Sequence, residues 1–153
     1  MTEKSHRWIW VSLGATSITF HIWLIFSGLV PSLVSRPLHM ALALPWVFVF
    51  ASHGIAQRLF GLFLTIVGSL FCGFIALNES ALSDQYGFIS GGWQVMVGVG
   101  LILLTLEMAR RTVSWPLPLI TLLFVLYGLF GSHIPGEFGH PGLPFNSFLG
   151  TLV

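Results

Sequence analysis

The chain contains, from residue 59 to residue 77, the stretch LFGLFLTIVGSLFCGFIAL, and this stretch decides its fold. It carries no charged side chain, and only small or weakly polar residues interrupt the apolar ones. A helix rises about 1.5 Å per residue, so a helix over this stretch nearly crosses a hydrocarbon core of about 30 Å. The stretch therefore predicts a transmembrane helix.

Four further apolar segments predict four further helices, over residues 8–30, 37–52, 92–109 and 116–130. Pro37 suits the first turn of the second of these helices, whereas Pro45 inside it predicts a kink or a break. The second segment is short, and it is the weakest candidate for a complete span. The period-two alternation of a transmembrane barrel is absent, so we predict an all-α membrane protein, a bundle of about five transmembrane helices forming one domain over residues 1–153.

Composition supports lipid as the main solvent. Apolar residues make up 55% of the chain and charged residues 7%, whereas an ordinary soluble domain is about 25% charged. The net charge of +1 provides no basic stripe, so no nucleic-acid partner is expected. The single Cys72 excludes an internal disulfide framework. The first apolar segment is too long for the core of a signal peptide, so we expect it to remain in the protein.

Orientation follows from the basic residues, because cytoplasmic loops carry an excess of Lys and Arg. If all five segments span, one basic residue, Arg36, falls on one side, and five fall on the other: Lys4, Arg7, Arg58, Arg110 and Arg111. The division predicts a cytoplasmic N-terminus and a C-terminus outside the cytoplasm (in the periplasm, for a bacterial cell), in an inner or plasma membrane.

Small residues recur on one face of the third segment. Gly61, Thr65 and Ser69 follow one another at every fourth position. Close approach of two helices in lipid relies on small residues, so this face is a candidate helix contact. The alternative is that it has no such role, since glycine is common in membrane helices.

The most polar intramembrane feature is the sequence Glu107-Met-Ala-Arg110-Arg111. On a helix, the Glu107 carboxylate lies within reach of Arg110 at i+3 and of Arg111 at i+4. One hypothesis is an ion-coupling or gating carboxylate. The favoured alternative is an ion pair at the helix end that fixes membrane depth and meets a partner subunit, since both arginines neutralise the site.

The six histidines lack the spacing of a metal site, so no metal ligand is assigned. His21 lies within the first helix, and we expect its imidazole to bond a backbone or hydroxyl group of another helix. Arg36 and His39 are placed at the outer edge of the second helix, as an interfacial anchor rather than an anion site. Nucleophile elbows, phosphate loops and paired carboxylates are absent from the sequence, so an enzyme is not expected.

The segment from residue 131 to residue 153 begins with a loop rich in proline and glycine, which we expect outside the cytoplasm. Four apolar residues then recur at helical spacing: Phe145, Phe148, Leu149 and Leu152. They predict a short amphipathic tail that lies along the membrane or docks on another protein.

The chain resembles the N-terminal membrane region of tripartite ATP-independent periplasmic (TRAP) transporters, and within them the TAXI branch. The resemblance runs from about Arg36 to the end and is strongest between Leu103 and Gly142. It rests on an ordered series of motifs: Arg36-Pro-Leu-His39, Leu106-Glu107-Met-Ala-Arg110-Arg111, Trp115-Pro-Leu-Pro118, Tyr127-Gly128, Ile134-Pro135-Gly136, His140 and Gly142.

The resemblance implies a non-catalytic scaffold subunit of a sodium-coupled secondary transporter that imports organic acids such as dicarboxylates or glutamate-like compounds. The implied partners are a large permease of about twelve helices, which carries the sodium and substrate sites, and a periplasmic binding protein. Fused members continue past the point matching Val153, so this sequence corresponds to a separate small subunit or to a piece of a fused permease.

The resemblance places no cofactor and no substrate-binding residue in this chain. Six residues are candidates for structural or partner contacts: Arg36, His39, Glu107, Arg110, Arg111 and His140. The alternative function is a small stand-alone channel or proton-conducting protein that uses His21 or Glu107.

Overall fold

The computed structural model describes residues 3–87, 89 and 91–152, with side chains from Arg7 to Thr151 within those ranges. Three features used in the sequence predictions lie outside this described set: the Lys4 side chain, the Leu152 side chain and Val153. Within the described residues the ordered secondary structure is helical, and no strand is present.

Seven α-helices follow one another along the described chain: α1 Glu3–Ser27, α2 Ser32–Pro45, α3 Ile55–Leu77, α4 Glu79–Ser83, α5 Gly92–Thr112, α6 Pro116–Phe130 and α7 Phe145–Leu152. A π-helical turn, Trp46–Phe50, extends α2, and a 3₁₀ turn, Gly131–His133, extends α6. Five of the resulting helices are long and apolar enough to cross a membrane. The prediction of about five spanning helices is therefore confirmed at the level of length and composition.

The first two helices depart most from the predicted bounds. Gly28 adopts a left-handed φ of 58° and ends α1 three residues early. The prediction for Pro37 was wrong, because α2 begins at Ser32 and Pro37 is buried in its second turn. The irregularity expected at Pro45 is present, since the backbone widens directly after it and Ala51 N–H donates to the Trp46 carbonyl.

The remaining bounds agree more closely. α3 begins four residues before its predicted start at Leu59, α5 ends three residues after its predicted end at Ala109, and α6 has the predicted bounds. The amphipathic tail predicted from Phe145 is the helix α7.

The core lies where α2 with its π-helical turn, α3 and α5 meet. Its fully or nearly buried side chains come from all three helices: Leu44, Phe48, Cys72, Ile75, Val97, Leu101 and Leu104. The side of α3 that faces this core has a buried residue at every third or fourth position, in the order Gly61, Thr65, Gly68, Cys72 and Ile75. The predicted small-residue contact face is thus confirmed for Gly61 and Thr65, while Ser69 is half-buried at its margin.

Gly61 permits the closest approach in the core. A Cβ atom at this position would overlap the carbonyl oxygen of Phe48 in the π-helical turn. Only glycine therefore lets the two backbones touch here. The contact seats the irregular end of α2 against the first turns of α3.

The helices α1 and α6 lie at the periphery. α1 contacts α2 and runs antiparallel to it, with Trp10 packed on Trp46 at a ring distance of 5.2 Å. The proline- and glycine-rich loop after α6 folds back over the end of that helix. α7 then packs on α5 and α6, and Leu149 is almost completely buried there.

Candidate functional site

The cytoplasmic end of α5, as oriented by the positive-inside prediction, carries a compact ion triad. Arg110 donates from Nε to Glu107 Oε2 at 2.6 Å and from Nη2 to Oε1 at 2.7 Å. Arg111 donates from Nε to Glu107 Oε1 at 2.7 Å. The predicted pairing at i+3 and i+4 is therefore confirmed, and Arg110 binds the carboxylate in the bidentate manner that favours arginine over lysine.

Both arginines of the triad also lie against aromatic rings. The Arg110 guanidinium is 5.4 Å from the ring centre of Trp115, at the start of α6. The Arg111 guanidinium is 4.9 Å from the ring centre of Phe48, in the buried π-helical turn. Cation–π contacts at these distances are attractive, so the triad joins α5 to the two neighbouring segments.

The side chains of the triad remain partly exposed, with 25% of Glu107, 36% of Arg110 and 19% of Arg111 accessible. The carboxylate pairs with both arginines and leaves the triad with a net charge of +1, which is physically acceptable because the triad lies near the membrane boundary and is partly exposed. The arrangement can fix the depth of α5 and the packing of its end. Its expected contact with a partner subunit stays a prediction.

A second polar cluster, the histidine pair, joins α1 to α2. The Nε2 atom of His21 lies 2.5 Å from the Nδ1 atom of His39, and the Nδ1 atom of His21 lies 2.5 Å from the Ser17 carbonyl oxygen. The rings meet edge to face with centres 4.4 Å apart. The pair is thus a polar contact that holds the C-terminal half of α1 against α2.

The proton positions of the neutral histidine pair follow from its partners. The Ser17 carbonyl can only accept, so His21 Nδ1–H donates to it and His21 Nε2 accepts. His39 Nδ1–H must then donate to His21, which leaves His39 Nε2 as an acceptor. His39 is exposed, so this chain of hydrogen bonds ends at the outer surface of the bundle.

Two expectations about these histidines were wrong. The partner of His21 on another helix is an imidazole, not a backbone or hydroxyl group. His39 lies inside α2, about two turns from its start at Ser32, not at its outer edge. The pairing could have been predicted from the hairpin of α1 and α2. His21 lies about two turns before the end of α1, and His39 lies about two turns after the start of α2, so the two residues are at the same depth in adjacent antiparallel helices.

Arg36 lies one turn before His39 on α2 and is exposed. No carboxylate among the described residues lies within ion-pair distance of its guanidinium, in contrast to Arg110 and Arg111. The predicted site residues therefore divide between two ends of the bundle. Glu107, Arg110 and Arg111 come together, and Arg36 and His39 lie apart from them.

His140 closes the loop that follows α6. The Gly142 N–H donates to His140 Nδ1 at 3.0 Å, so the neutral ring carries its proton on Nε2 and donates it to the Tyr127 carbonyl at 3.0 Å. The Tyr127 hydroxyl donates to the Phe138 carbonyl at 2.7 Å. The ring of His140 occupies the space that a Cβ at Gly131 would need. His140 therefore has an internal structural role, and its expected partner contact stays a prediction.

The described part of the chain contains no group of three or more His, Cys, Asp or Glu side chains that could hold a metal ion. Phe48 was not among the predicted site residues, although its ring lies under the Arg111 guanidinium and its carbonyl contacts α3 at Gly61. Its signal was the position three residues after Pro45 within a spanning segment, where a disturbed helix presents backbone to its neighbours.

Comparison with known proteins adds no relative. No family model, no curated protein and no solved structure matches this chain.

Proposed function

We propose that this chain is the small scaffold region of a sodium-coupled TRAP-type secondary transporter of the TAXI branch, in a bacterial or archaeal inner membrane. It braces a permease of about twelve helices, which carries the sodium and substrate sites. A periplasmic binding protein delivers the organic acid, a dicarboxylate or glutamate-like compound. The chain itself performs no chemistry and requires no cofactor.

The observation that carries the proposal is the structural use of the motif residues that resemble the TRAP family. Glu107 pairs with both Arg110 and Arg111 at one end of α5. Tyr127 and His140 fasten the loop over α6. A scaffold is expected to spend its polar residues on internal contacts, whereas a transport site needs broken helices and polar groups aimed at a ligand near the midplane.

The outer surface of the bundle supports the same proposal. None of the most apolar window of α1 is buried, and only 11% of that of α6 is buried. α6 exposes a continuous set of large apolar side chains: Leu117, Leu119, Ile120, Leu122, Leu123, Phe124 and Leu126. Such helices are free to contact either lipid or a second membrane subunit.

The decisive experiment is sodium-driven uptake by proteoliposomes. A TRAP-type permease and binding protein from the same organism are reconstituted with and without this chain, and uptake of a labelled dicarboxylate or glutamate is followed. We expect uptake to require the chain and to stop when the sodium gradient is dissipated. Normal uptake without the chain, together with a monodisperse monomer on purification from native membranes, would contradict the proposal.

A proton-conducting function is the second candidate, and the histidine pair favours it. The contact between His39 and His21 places two imidazoles, which can each take up and release a proton, side by side in two spanning helices. Liposomes that contain only this chain would then dissipate a pH gradient, and His21→Phe would abolish the leak. Tight liposomes would rule this candidate out without affecting the scaffold proposal.

A further inference from the structure

Arg36 is an open cation at the outer end of the bundle. It lies in the second turn of α2, about 6 Å along the helix from Ser32, and its side chain is exposed. Within the described residues no carboxylate pairs with it. A charge at this depth is costly unless a partner or the headgroup layer receives it, so Arg36 indicates an anionic ligand.

An apolar groove runs inward from Arg36. It has a volume of about 150 Å³ and lies between α2 and α5, with α3 as its floor. Its inner lining is formed by Met40, Cys72, Ile75, Leu101 and Ile102. Thr105 lies at the groove as well, but its hydroxyl donates to the Leu101 carbonyl at 2.8 Å. Below Arg36 the groove is thus an apolar slot.

We propose that Arg36 and this groove bind an anionic phospholipid. The guanidinium holds the phosphate at the outer boundary of the membrane, and part of one acyl chain lies in the slot beneath it. A planar guanidinium offers two parallel N–H donors to phosphate oxygens, so it suits the phosphate of a lipid that lies beside it.

The chemistry of the groove favours a lipid over a carboxylate from a partner helix. A carboxylate would pair with Arg36 but leave the apolar lining beneath it uncovered, whereas a phospholipid presents both a phosphate and an acyl chain. An acyl chain is a single file of methylene groups and fits a narrow slot. The proposal needs only this chain, so it stands or falls independently of the transporter function.

The test is native mass spectrometry of the delipidated full-length chain in detergent. Equal amounts of phosphatidylglycerol and phosphatidylcholine with identical acyl chains are added. An exposed ion pair contributes up to about 1 kcal/mol, so we expect up to about fivefold more bound phosphatidylglycerol. Arg36→Gln should bring this ratio to about one, and Arg36→Lys should restore part of it.

Arg58→Gln is the matched control, because it also removes one exposed cation with no ion pair among the described residues, but at the start of α3. It should keep the fivefold preference. An equal loss in this variant would mean nonspecific attraction and would overturn the proposal. A preference that persists in Arg36→Gln would overturn it as well.

The groove is tested by a second pair of variants. Ile102→Trp fills the slot and should reduce the binding of both lipids severalfold, whereas Leu103→Trp, at the adjacent exposed position, should leave it unchanged. Both variants are first checked for native-like thermal unfolding. Unchanged binding in a folded Ile102→Trp would overturn the acyl-chain assignment. Absence of any preference in the wild type would overturn the lipid site and leave a partner's carboxylate as the ligand of Arg36.

Discussion

Helices α3 and α1 are both apolar enough to span a membrane, but they are held in different ways. In α3, 28% of the most apolar window is buried, along a face with a small or apolar residue at every turn. In α1, none of that window is buried. α1 is attached at two places, by the ring of Trp10 against Trp46 and by the contact of His21 with His39.

The difference shows what determines position inside a membrane. Apolar composition drives a helix into lipid, but it does not drive one helix against another, because lipid tails are equally apolar. Close backbone contact and polar contacts must supply that attraction. α3 uses the first at Gly61, whereas α1 uses the second at His21.

The largest effect is expected from Gly61→Ala. The added methyl group would overlap the Phe48 carbonyl, so α3 and the π-helical turn must separate. We expect a loss of about 2–3 kcal/mol in the free energy of unfolding, measured in detergent by steric trapping. Gly73→Ala is the control on the same helix, because no atom lies within 4 Å of its added methyl group. Equal stability of the two variants would contradict the close-contact explanation.

The next largest effect is expected from Glu107→Gln. The amide cannot neutralise Arg110 and Arg111, so two cations lose their common anion at the end of α5. We expect a loss of about 1–2 kcal/mol, reduced by the partial exposure of the triad, and weaker assembly with a partner permease. Glu79→Gln, at an acid with no ion pair among the described residues, should be nearly neutral. An assembled complex with an altered sodium stoichiometry would contradict the structural role.

Local spacing allowed part of this architecture to be predicted from the sequence. The spanning helices follow from apolar length, and the pairing of Glu107 with Arg110 and Arg111 follows from positions three and four apart on one helix. The disturbance after Pro45 follows from the missing N–H of proline.

Contacts between helices were harder to predict. His21 and His39 are eighteen positions apart, so their meeting depends on how the α1–α2 hairpin closes, and the start of α2 was misplaced at Pro37. The contact of Phe48 with Gly61 depends on a π-helical turn. The periodicity of the apolar residues does not reveal which residues form that turn. The hydrogen bonds of His140 depend on the conformation of an irregular loop, and the loop has no repeating sequence pattern from which that conformation could be predicted.

A smaller effect is expected from His39→Ala, which removes the polar contact between the C-terminal half of α1 and α2. An interhelical hydrogen bond in a membrane protein contributes about 0.6 kcal/mol on average, so the global stability should change little. The distance between spin labels at Ile22 on α1 and Leu38 on α2 should instead become broadly distributed. His53→Ala, which removes an exposed imidazole outside this contact, should leave the distance unchanged. A narrow distribution in His39→Ala would show that the aromatic contact alone positions α1.

The smallest effect is expected from His140→Ala, which acts on the cap of the peripheral helix α6. The substitution removes the hydrogen bonds to the Tyr127 carbonyl and from the Gly142 N–H, but the Tyr127 hydroxyl keeps its bond to the Phe138 carbonyl. We expect global unfolding to change by about 0.5 kcal/mol, because the loop can open while the core of α2, α3 and α5 stays closed.

Limited proteolysis of the same variant detects that local opening. Cleavage between Ile134 and Leu143 should accelerate severalfold in His140→Ala, while His133→Ala, an exposed histidine in the same region, should match the wild type. Unchanged cleavage would mean that Tyr127 alone fastens the loop. Loss of the whole fold would mean that α6 belongs to the same cooperative unit as α3, and the contrast between packed and attached helices would then apply to α1 alone.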